Sequence, residues 1–280
     1  MLTHFAILAY PAIDPVALEI GPISVKWYGI AYMAGLLTGW WYIRYLITTP
    51  KLWRNGQAPL TLEQSDDLLL WVTLSVIIGG RLGQVLLYDP SYYFANPAEI
   101  LKTWRGGMSF HGALIASGLM ILLFARARKL SALSIMDLCC AAVPFGLLFG
   151  RVANFINSEH WGRESNAAWA MVFPTGGDMP RHPSQLYEAA LEGAVMFAIL
   201  WFVTHRLLGL KRPGLITGVW LSWYAIARSI CEMFREPEIV HALNLGPFTA
   251  GQLYSIPMLL LGLLLIRQAR GPRQSDKATV

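Results

Sequence analysis

The sequence predicts an all-α integral membrane protein with seven transmembrane helices and a small extracytoplasmic head. Of its 280 residues, 55% are hydrophobic and only 14% are charged, whereas about 25% of the residues of a typical soluble domain are charged. The apolar residues fall into runs long enough to cross a bilayer, and Lys and Arg concentrate in alternate loops between those runs. Both features are typical of a multi-pass membrane protein.

A helix needs about 20 mostly apolar residues to cross a bilayer. Seven stretches of the sequence meet this requirement. They cover residues 23–46, 66–88, 109–127, 133–156, 185–208, 213–234 and 247–269. Residues 1–22 lack a basic start and contain three prolines, so we expect an extracytoplasmic arm and not a cleaved signal peptide. The polar residues 270–280 are expected to form a disordered cytoplasmic tail.

The distribution of Lys and Arg predicts the orientation. One set of loops, with the C-terminal tail, holds 13 of these residues, and the opposite set holds 6. Because cytoplasmic loops carry the excess of basic residues, we expect an external N-terminus and a cytoplasmic C-terminus. The long external loop 157–184 contains Trp161, Trp169 and Phe173 and a Gly-rich turn, which predicts an ordered head.

Several polar residues lie inside the predicted spans. An arginine at the bilayer centre costs about 3 kcal/mol on insertion scales, so it is expected to be paired or functional. The direction of each span places the polar residues of six spans in the same outer half of the membrane. These residues are Tyr28, Arg81, His111, Arg151, Glu188, Glu192 and Arg228.

The sixth span carries four polar residues at steps of four, four and three, which places them on one helix face. They are Tyr224, Arg228, Glu232 and Arg235. Arg228 and Glu232 could form a self-contained ion pair. Arg151 and Asn154, three apart on the fourth span, point to the same depth, and two guanidiniums need more than one carboxylate. We therefore expect a bound anion, and a phospholipid phosphate is the anion found at that depth.

His111 begins the third span within the glycine-rich stretch "RGGMSFHGALIA". Glycines permit close approach, and a helix start offers free N–H groups to an anion. His111 could be an interfacial histidine or a catalytic one, since an imidazole with a pKa near 6.5 can transfer protons at neutral pH.

Other features indicate packing. Gly79, Gly80 and Gly83 in "IIGGRLGQVLLY" are typical of close helix contacts. The three cysteines, which lie within apolar runs, show neither a disulfide framework nor metal-ligand spacing, and no metal ion or cofactor is predicted.

The basic residues form no single patch, which argues against a nucleic-acid partner.

Five motifs occur in the order "VKWYGIAY", "GGMSFHGA", "GRVANFINSEHWGR", "RHPSQLYEA" and "WYAIARSICEMFREP". In these segments the sequence resembles the prolipoprotein diacylglyceryl transferase family, and the resemblance runs from about Val25 to the last span. The departures are Ala113, Ala153, Ser158 and His160. The two alanines would slightly narrow a close-approach site.

The resemblance implies a bacterial inner-membrane enzyme. It would transfer the diacylglyceryl group of phosphatidylglycerol to the thiol of the lipobox cysteine in a preprolipoprotein signal peptide, releasing glycerol phosphate. A thiol with a pKa near 8.5 must lose its proton before it attacks, and the leaving phosphate needs its charge stabilised. The partners are therefore phosphatidylglycerol, preprolipoproteins and membrane lipid.

The resemblance also implies roles for particular residues. Arg151 and Arg228 would bind the phosphate, Asn154 and Glu159 would shape the head-group pocket, and Gly162 would allow close approach. The remaining positions that match the motifs are Tyr28, His111, His182, Tyr224 and Glu232. His111 is the candidate base, although Glu232 or the departing phosphate could accept the proton.

Two other functions fit parts of the pattern. A lipid transporter or flippase with an outer-leaflet phosphate site would also bury arginines, but it should carry polar residues through the full depth or paired interrupted helices. A seven-helix receptor fits the span count alone.

Overall fold

The computed structural model describes residues 8–11, 13–21, 23–103, 106–236 and 249–269. The predicted tail 270–280 and the first part of the predicted arm lie outside the described residues. The chain forms two compact units. One comprises the described residues up to Ile43 and those from Asp137 onward, and the other comprises Arg44–Met136.

Helices form most of both units, and each of the seven predicted apolar stretches contains one. Their bounds are α1 Trp27–Ile47, α2 Leu62–Gly83, α3 Pro90–Ala95, α4 Phe110–Ala127, α5 Ala132–Ile156, α6 Ser184–Glu188, α7 Met196–His205, α8 Leu215–Cys231 and α9 Ala250–Gln268. Among the described residues, three helical segments are long and apolar enough to cross a membrane, namely Leu62–Leu86, Ala132–Ile156 and Ser184–His205. Gly112–Ala127 and Leu215–Cys231 are shorter apolar helices. The chain is therefore a mostly helical membrane protein.

A short antiparallel hairpin precedes α1, so the prediction of an all-α fold is wrong at this point. Strand β1 is Val16–Ile20 and strand β2 is Ile23–Lys26, with Leu18 paired to Val25. Gly21, with a φ of +59°, lies in the turn between them. The β-branched Ile23 and Val25 alternate with polar residues, a pattern that favours a strand. The apolar run that begins at residue 23 therefore becomes helical only at Trp27.

Within the second unit, α2 and α4 touch through glycines. A Cβ atom on Gly112 would lie 2.2 Å from the Gly79 carbonyl oxygen and 2.7 Å from the Gly83 Cα. These distances are too short for any side chain, so the glycines bring the two backbones into contact. This is the packing role that the sequence predicts for them.

In the first unit, Asp137 connects the start of α5 to the start of α8. Its fully buried carboxylate accepts hydrogen bonds from the Gly214 and Thr217 backbone N–H groups at 2.7 and 2.8 Å, and from the Thr217 hydroxyl at 2.6 Å. A helix start has unpaired N–H groups, and this carboxylate satisfies two of them. Arg151 and Arg228 each follow the junction by 14 residues, counted from Asp137 and Gly214. At 1.5 Å per residue, the backbone of each arginine therefore lies about 21 Å along its helix from this junction.

Helices α6 and α7 belong to one continuous helix that contains a π-helical segment, Ala189–Val195. The Leu191 carbonyl in this segment accepts a hydrogen bond from the Trp223 indole N–H at 2.9 Å. The wider turn thus releases a backbone acceptor, which a side chain of α8 satisfies. Beyond it, Met196 and Leu200 are fully buried.

Candidate functional site

A cluster of three arginines and three glutamates, counted among the described residues, lies within the first unit. Its members come from α5, from the helix of α6 and the π segment, and from the end of α8 with the turn that follows. They are Arg151, Glu188, Glu192, Arg228, Glu232 and Arg235. We call this set the charged cluster.

Glu188 is the common acceptor of the charged cluster. Its Oε1 accepts hydrogen bonds from the Arg228 Nη1 and the Arg235 Nη1, both at 2.8 Å. Its Oε2 lies 3.1 Å from the Arg151 Nε. The side chain is fully buried. A single carboxylate therefore holds three guanidiniums from two helices and a turn.

Each of the other two glutamates lies near two of the three arginines. Glu192 is fully buried and lies 3.5 Å from the Arg151 Nη2 and 3.9 Å from the Arg228 Nη1. Neither of its oxygens accepts a hydrogen bond from a residue that the structure describes. Glu232 pairs with the Arg228 Nη2 and lies 3.8 Å from the Arg235 Nε.

A glycine of α9 makes room for Glu232. A Cβ atom on Gly251 would lie 2.6 Å from the Glu232 Oε1, which is closer than side-chain atoms can approach. A side chain at residue 251 would therefore displace the Glu232 carboxylate from this position at the start of α9.

The charge balance differs from the one expected. The sequence argument set one carboxylate against two guanidiniums, whereas the structure brings three carboxylates to three guanidiniums, so the formal charge of the cluster is zero. Nor is the Arg228–Glu232 pair self-contained, since Arg228 also binds Glu188. Neutralising the buried arginine charge therefore needs no bound anion, and charge balance alone does not argue for one.

Two arginines of the charged cluster are more exposed than two of its glutamates. The Arg151 and Arg228 side chains are 19% and 17% exposed, whereas Glu188 and Glu192 are 0% exposed. Glu188 and Glu192 therefore lie deeper than the two arginines with which they pair.

The loop after α5 is fixed by Asn154 and Glu159. The Asn154 amide donates to the Glu159 carboxylate at 2.7 Å, and the Gln185 amide donates to the Glu159 carbonyl oxygen at 2.7 Å. Ser158 and His160, on either side of Glu159, have left-handed φ values of 55° and 57°. Such residues cost on the order of 1–3 kcal/mol each and concentrate at functional sites.

Gly162 permits a close approach between backbone segments. A Cβ atom there would lie 2.4 Å from the Phe234 carbonyl oxygen and 2.8 Å from the His182 Cβ. Its N–H donates to the His182 carbonyl at 2.9 Å, and the Arg163 N–H donates to the Phe234 carbonyl at 2.8 Å. The close contact is thus with protein backbone.

His182 belongs to an aromatic group beside this backbone contact. Its Nδ1 lies 3.0 Å from the Tyr187 hydroxyl, to which the Trp169 indole N–H also donates at 2.6 Å. Its ring packs against Phe234 at a centroid distance of 5.2 Å. Burial lowers the pKa of His182 below its usual value near 6.5, so the ring is neutral at pH 7. These contacts fix the orientation of the His182 ring beside the loop.

The remaining predicted site residues lie at helix starts or on α8. Tyr28 is the second residue of α1, and its hydroxyl lies 3.2 Å from the Tyr32 hydroxyl. Tyr224, one turn before Arg228, is buried and stacks on Trp220 at 5.5 Å. His111 belongs to the first turn of α4 in the second unit. Its side chain lies outside the described residues, so its role stays a prediction.

Three members of the cluster were not among the candidate site residues. Glu188 and Glu192 stand four apart at the depth of Arg151, and Arg235 lies on the face of Arg228. The spacing and depth were visible in the sequence. What the sequence did not show is that one carboxylate serves all three arginines.

Comparisons with known proteins place the chain among membrane transferases. A family model described as prolipoprotein diacylglyceryl transferase matches residues 15–267. The phosphatidylglycerol–prolipoprotein diacylglyceryl transferase of Nitrobacter winogradskyi is 49% identical over 97% of this chain and 94% of its own length. The proteins of the same name from Rhizobium meliloti and Agrobacterium fabrum are 50% and 46% identical, covering 96% and 98% of both chains, respectively.

Proposed function

Because this chain belongs to the prolipoprotein diacylglyceryl transferase family, we propose that it transfers the diacylglyceryl group of phosphatidylglycerol to the lipobox cysteine of a preprolipoprotein. The observation that carries the proposed site is the charged cluster. The arginines Arg151 and Arg228, whose side chains are partly exposed, both pair with the buried Glu188. This arrangement supports binding of the phosphate of phosphatidylglycerol.

The reaction explains why two arginines are useful. The thiolate sulfur bonds to the glycerol carbon, the bond from that carbon to the phosphate oxygen breaks, and glycerol phosphate leaves with the electron pair. The phosphate gains one negative charge as the bond breaks. Donors that are already oriented stabilise this charge more in the transition state than in the bound lipid, and this difference accelerates the reaction.

The other site residues have supporting roles in this proposal. Asn154 and Glu159, joined by their hydrogen bond, form the wall of the head-group pocket. Gly162 and His182 hold the loop in place beside Phe234. The residues that complete the substrate-binding set are Tyr28, Tyr224 and Glu232.

The activity is tested directly with the purified protein in detergent. Incubation with phosphatidylglycerol and a peptide containing a lipobox should release glycerol phosphate and increase the mass of the peptide by one diacylglyceryl group. A peptide with serine in place of the lipobox cysteine is the matched control and should remain unmodified. If the protein only moved lipid across a bilayer, as a flippase would, neither product would form.

We propose a bacterial inner-membrane location with all seven apolar helices crossing the bilayer. The N-terminal arm 1–22 and the head 157–184 are periplasmic, domain 23–269 is catalytic, and the tail 270–280 is cytoplasmic. The excess of Lys and Arg in alternate loops supports this topology.

Reporter fusions should show this orientation. A reporter active only outside the cytoplasm is expected to work when fused after residue 170 and to fail after residue 129 or at the C-terminus, because the basic loops remain inside. Enzyme activity of each fusion is measured in whole cells, with immunoblotting to show that all three are made. The opposite pattern would contradict both the topology and the outer-leaflet site.

We propose His111 as the base that accepts the thiol proton. His111→Gln should lower kcat by about 100-fold while leaving phosphatidylglycerol binding within about three-fold, since glutamine forms hydrogen bonds but takes no proton at neutral pH. Steady-state kinetics and a lipid-binding assay measure the two quantities. Equal losses of binding and turnover would make His111 a substrate-positioning residue instead.

A further inference from the structure

Arg81 is a buried arginine that the proposed reaction does not use. It lies near the end of α2 in the second unit, and only 5% of the residue is exposed. Its guanidinium carbon lies 4.9 Å from the centroid of the buried Tyr93 ring. An arginine in this position needs partners for its charge and for its N–H groups.

Within the part of the chain that the structure describes, the partners of the guanidinium hydrogen atoms are backbone carbonyls of residues 99–102 and 106–107. The Nε donates to the carbonyl oxygen of residue 100 at 2.9 Å. The Nη1 donates to the carbonyl oxygens of residues 106 and 107 at 2.7 and 2.9 Å. The Nη2 donates to those of residues 99 and 102 at 2.5 and 3.4 Å. A guanidinium has five N–H donors, and five acceptors surround it. Arg81 therefore differs from Arg151 and Arg228, whose acceptors are carboxylates.

The segment that Arg81 holds leads directly into α4. Gly106 and Gly107 have φ values of +86° and +75°, conformations that glycine adopts without strain. A Cβ atom on Gly107 would lie 2.9 Å from the Arg81 Nη1. A side chain at Gly107 would therefore press on the guanidinium, whereas Gly106 has open space around it and is needed only for its backbone angle.

The start of α4 is fixed from a second direction. The Ser109 N–H donates to the Gly80 carbonyl at 2.8 Å, and the Ser109 hydroxyl caps the helix by accepting from the Gly112 N–H at 3.1 Å. Gly112 in turn contacts Gly79. His111 lies between these two anchored residues, so the backbone that carries it is held by α2 and by the segment that Arg81 ties down.

We propose that Arg81 is a positioning residue for the transfer reaction, acting through the backbone of residues 106–111 on His111. This inference rests on the proposed role of His111 as the base. Arg81 binds no substrate. Its guanidinium holds the segment that leads into the first turn of α4, and so contributes to the position of the backbone that carries the proton acceptor.

A double-mutant cycle tests this coupling. Arg81→Ala should lower kcat by about ten-fold or more, with the KM for phosphatidylglycerol within about three-fold. In the His111→Gln background the same substitution should change kcat by less than about two-fold, because the step that Arg81 serves is already lost. A purely structural arginine would instead lower activity by the same factor in both backgrounds, and that result would overturn the proposal.

Two further variants keep the test decisive. Gly107→Ala pushes against the guanidinium from the other side and should reproduce the kinetics of Arg81→Ala, which answers the question if Arg81→Ala fails to fold. Arg128→Ala is the matched control, since Arg128 pairs with Asp67 at 2.6 Å and is 30% exposed; it should keep full activity. Unchanged kcat in both Arg81→Ala and Gly107→Ala would also overturn the proposal.

The same experiment separates this inference from the proposed function. If wild-type protein forms no lipidated peptide, the transferase activity itself is wrong. If wild-type protein is active and His111→Gln is equally active, the transfer reaction stands and the positioning role of Arg81 through His111 falls.

Discussion

Replacing Arg151 by lysine is expected to reduce diacylglyceryl transfer by about 100-fold, the size of loss seen when one donor to a developing oxyanion is removed. The Arg151 guanidinium lies 3.1 Å from Glu188 and 3.5 Å from Glu192. A lysine keeps the charge but has a single nitrogen, which cannot contact both glutamates and a phosphate in a fixed plane. The variant therefore retains the charge balance of the cluster and loses its geometry.

The measurement is glycerol phosphate release together with thermal unfolding of the purified protein. Arg128→Lys is the control, because Arg128 forms an ion pair with Asp67 outside the charged cluster. Arg151→Lys should unfold within a few degrees of wild type. Near-normal turnover would mean that Arg151 has only a structural role, and the phosphate would then have to be bound elsewhere.

Removing the carboxylate of Glu188 should be the most destabilising single change in the cluster. Glu188→Ala leaves Arg151, Arg228 and Arg235 with two glutamates in place of three, and it deletes two hydrogen bonds of 2.8 Å. Breaking a buried ion pair by removing one partner costs about 3–5 kcal/mol, because the remaining charge stays buried without compensation. We expect transfer activity to be lost as well, since both phosphate-binding arginines lose the group that orients them.

Glu164→Ala is the matched control for this change. Glu164 lies 3.6 Å from Arg181, and its side chain is 56% exposed, so its removal should change the free energy of unfolding by less than about 1 kcal/mol. Denaturant or thermal unfolding in detergent compares the two variants. A Glu188→Ala protein as stable as the Glu164→Ala protein would contradict the role of Glu188 as common acceptor.

The meeting of Arg151, Arg228 and Glu232 could be predicted from the sequence, because helical spacing and span direction are properties of local pattern. Residues four apart share a face, and spans of similar length that run the same way place late residues at similar depths. The acceptor role of Glu188 could not be predicted in this way. It depends on the orientation of one helix about its axis, which is determined by packing.

Local conformations that contradict residue preference also escaped prediction. Ser158 and His160 adopt left-handed backbone angles that few residues with side chains tolerate. They are held by tertiary contacts, such as the hydrogen bond of 2.9 Å from the Ser184 hydroxyl to the His160 carbonyl. Residues 23–26, at the start of the first predicted span, likewise form a strand because β1 pairs with them.

The π-helical segment Ala189–Val195 makes the number of residues in this helix as important as their identity. Successive residues of an α-helix are about 100° apart around the axis, so a π turn accommodates one residue more than an α turn and shifts the phase of everything beyond it. On one side of the segment Glu188 faces the arginines, and on the other Met196 and Leu200 face the core. Loss of one residue between them would restore a regular helix and turn one of these faces away from its partners. We therefore expect deletion of one residue from this segment to be more damaging than a substitution within it. The constraint is on the number of residues in the segment and not on their side-chain chemistry.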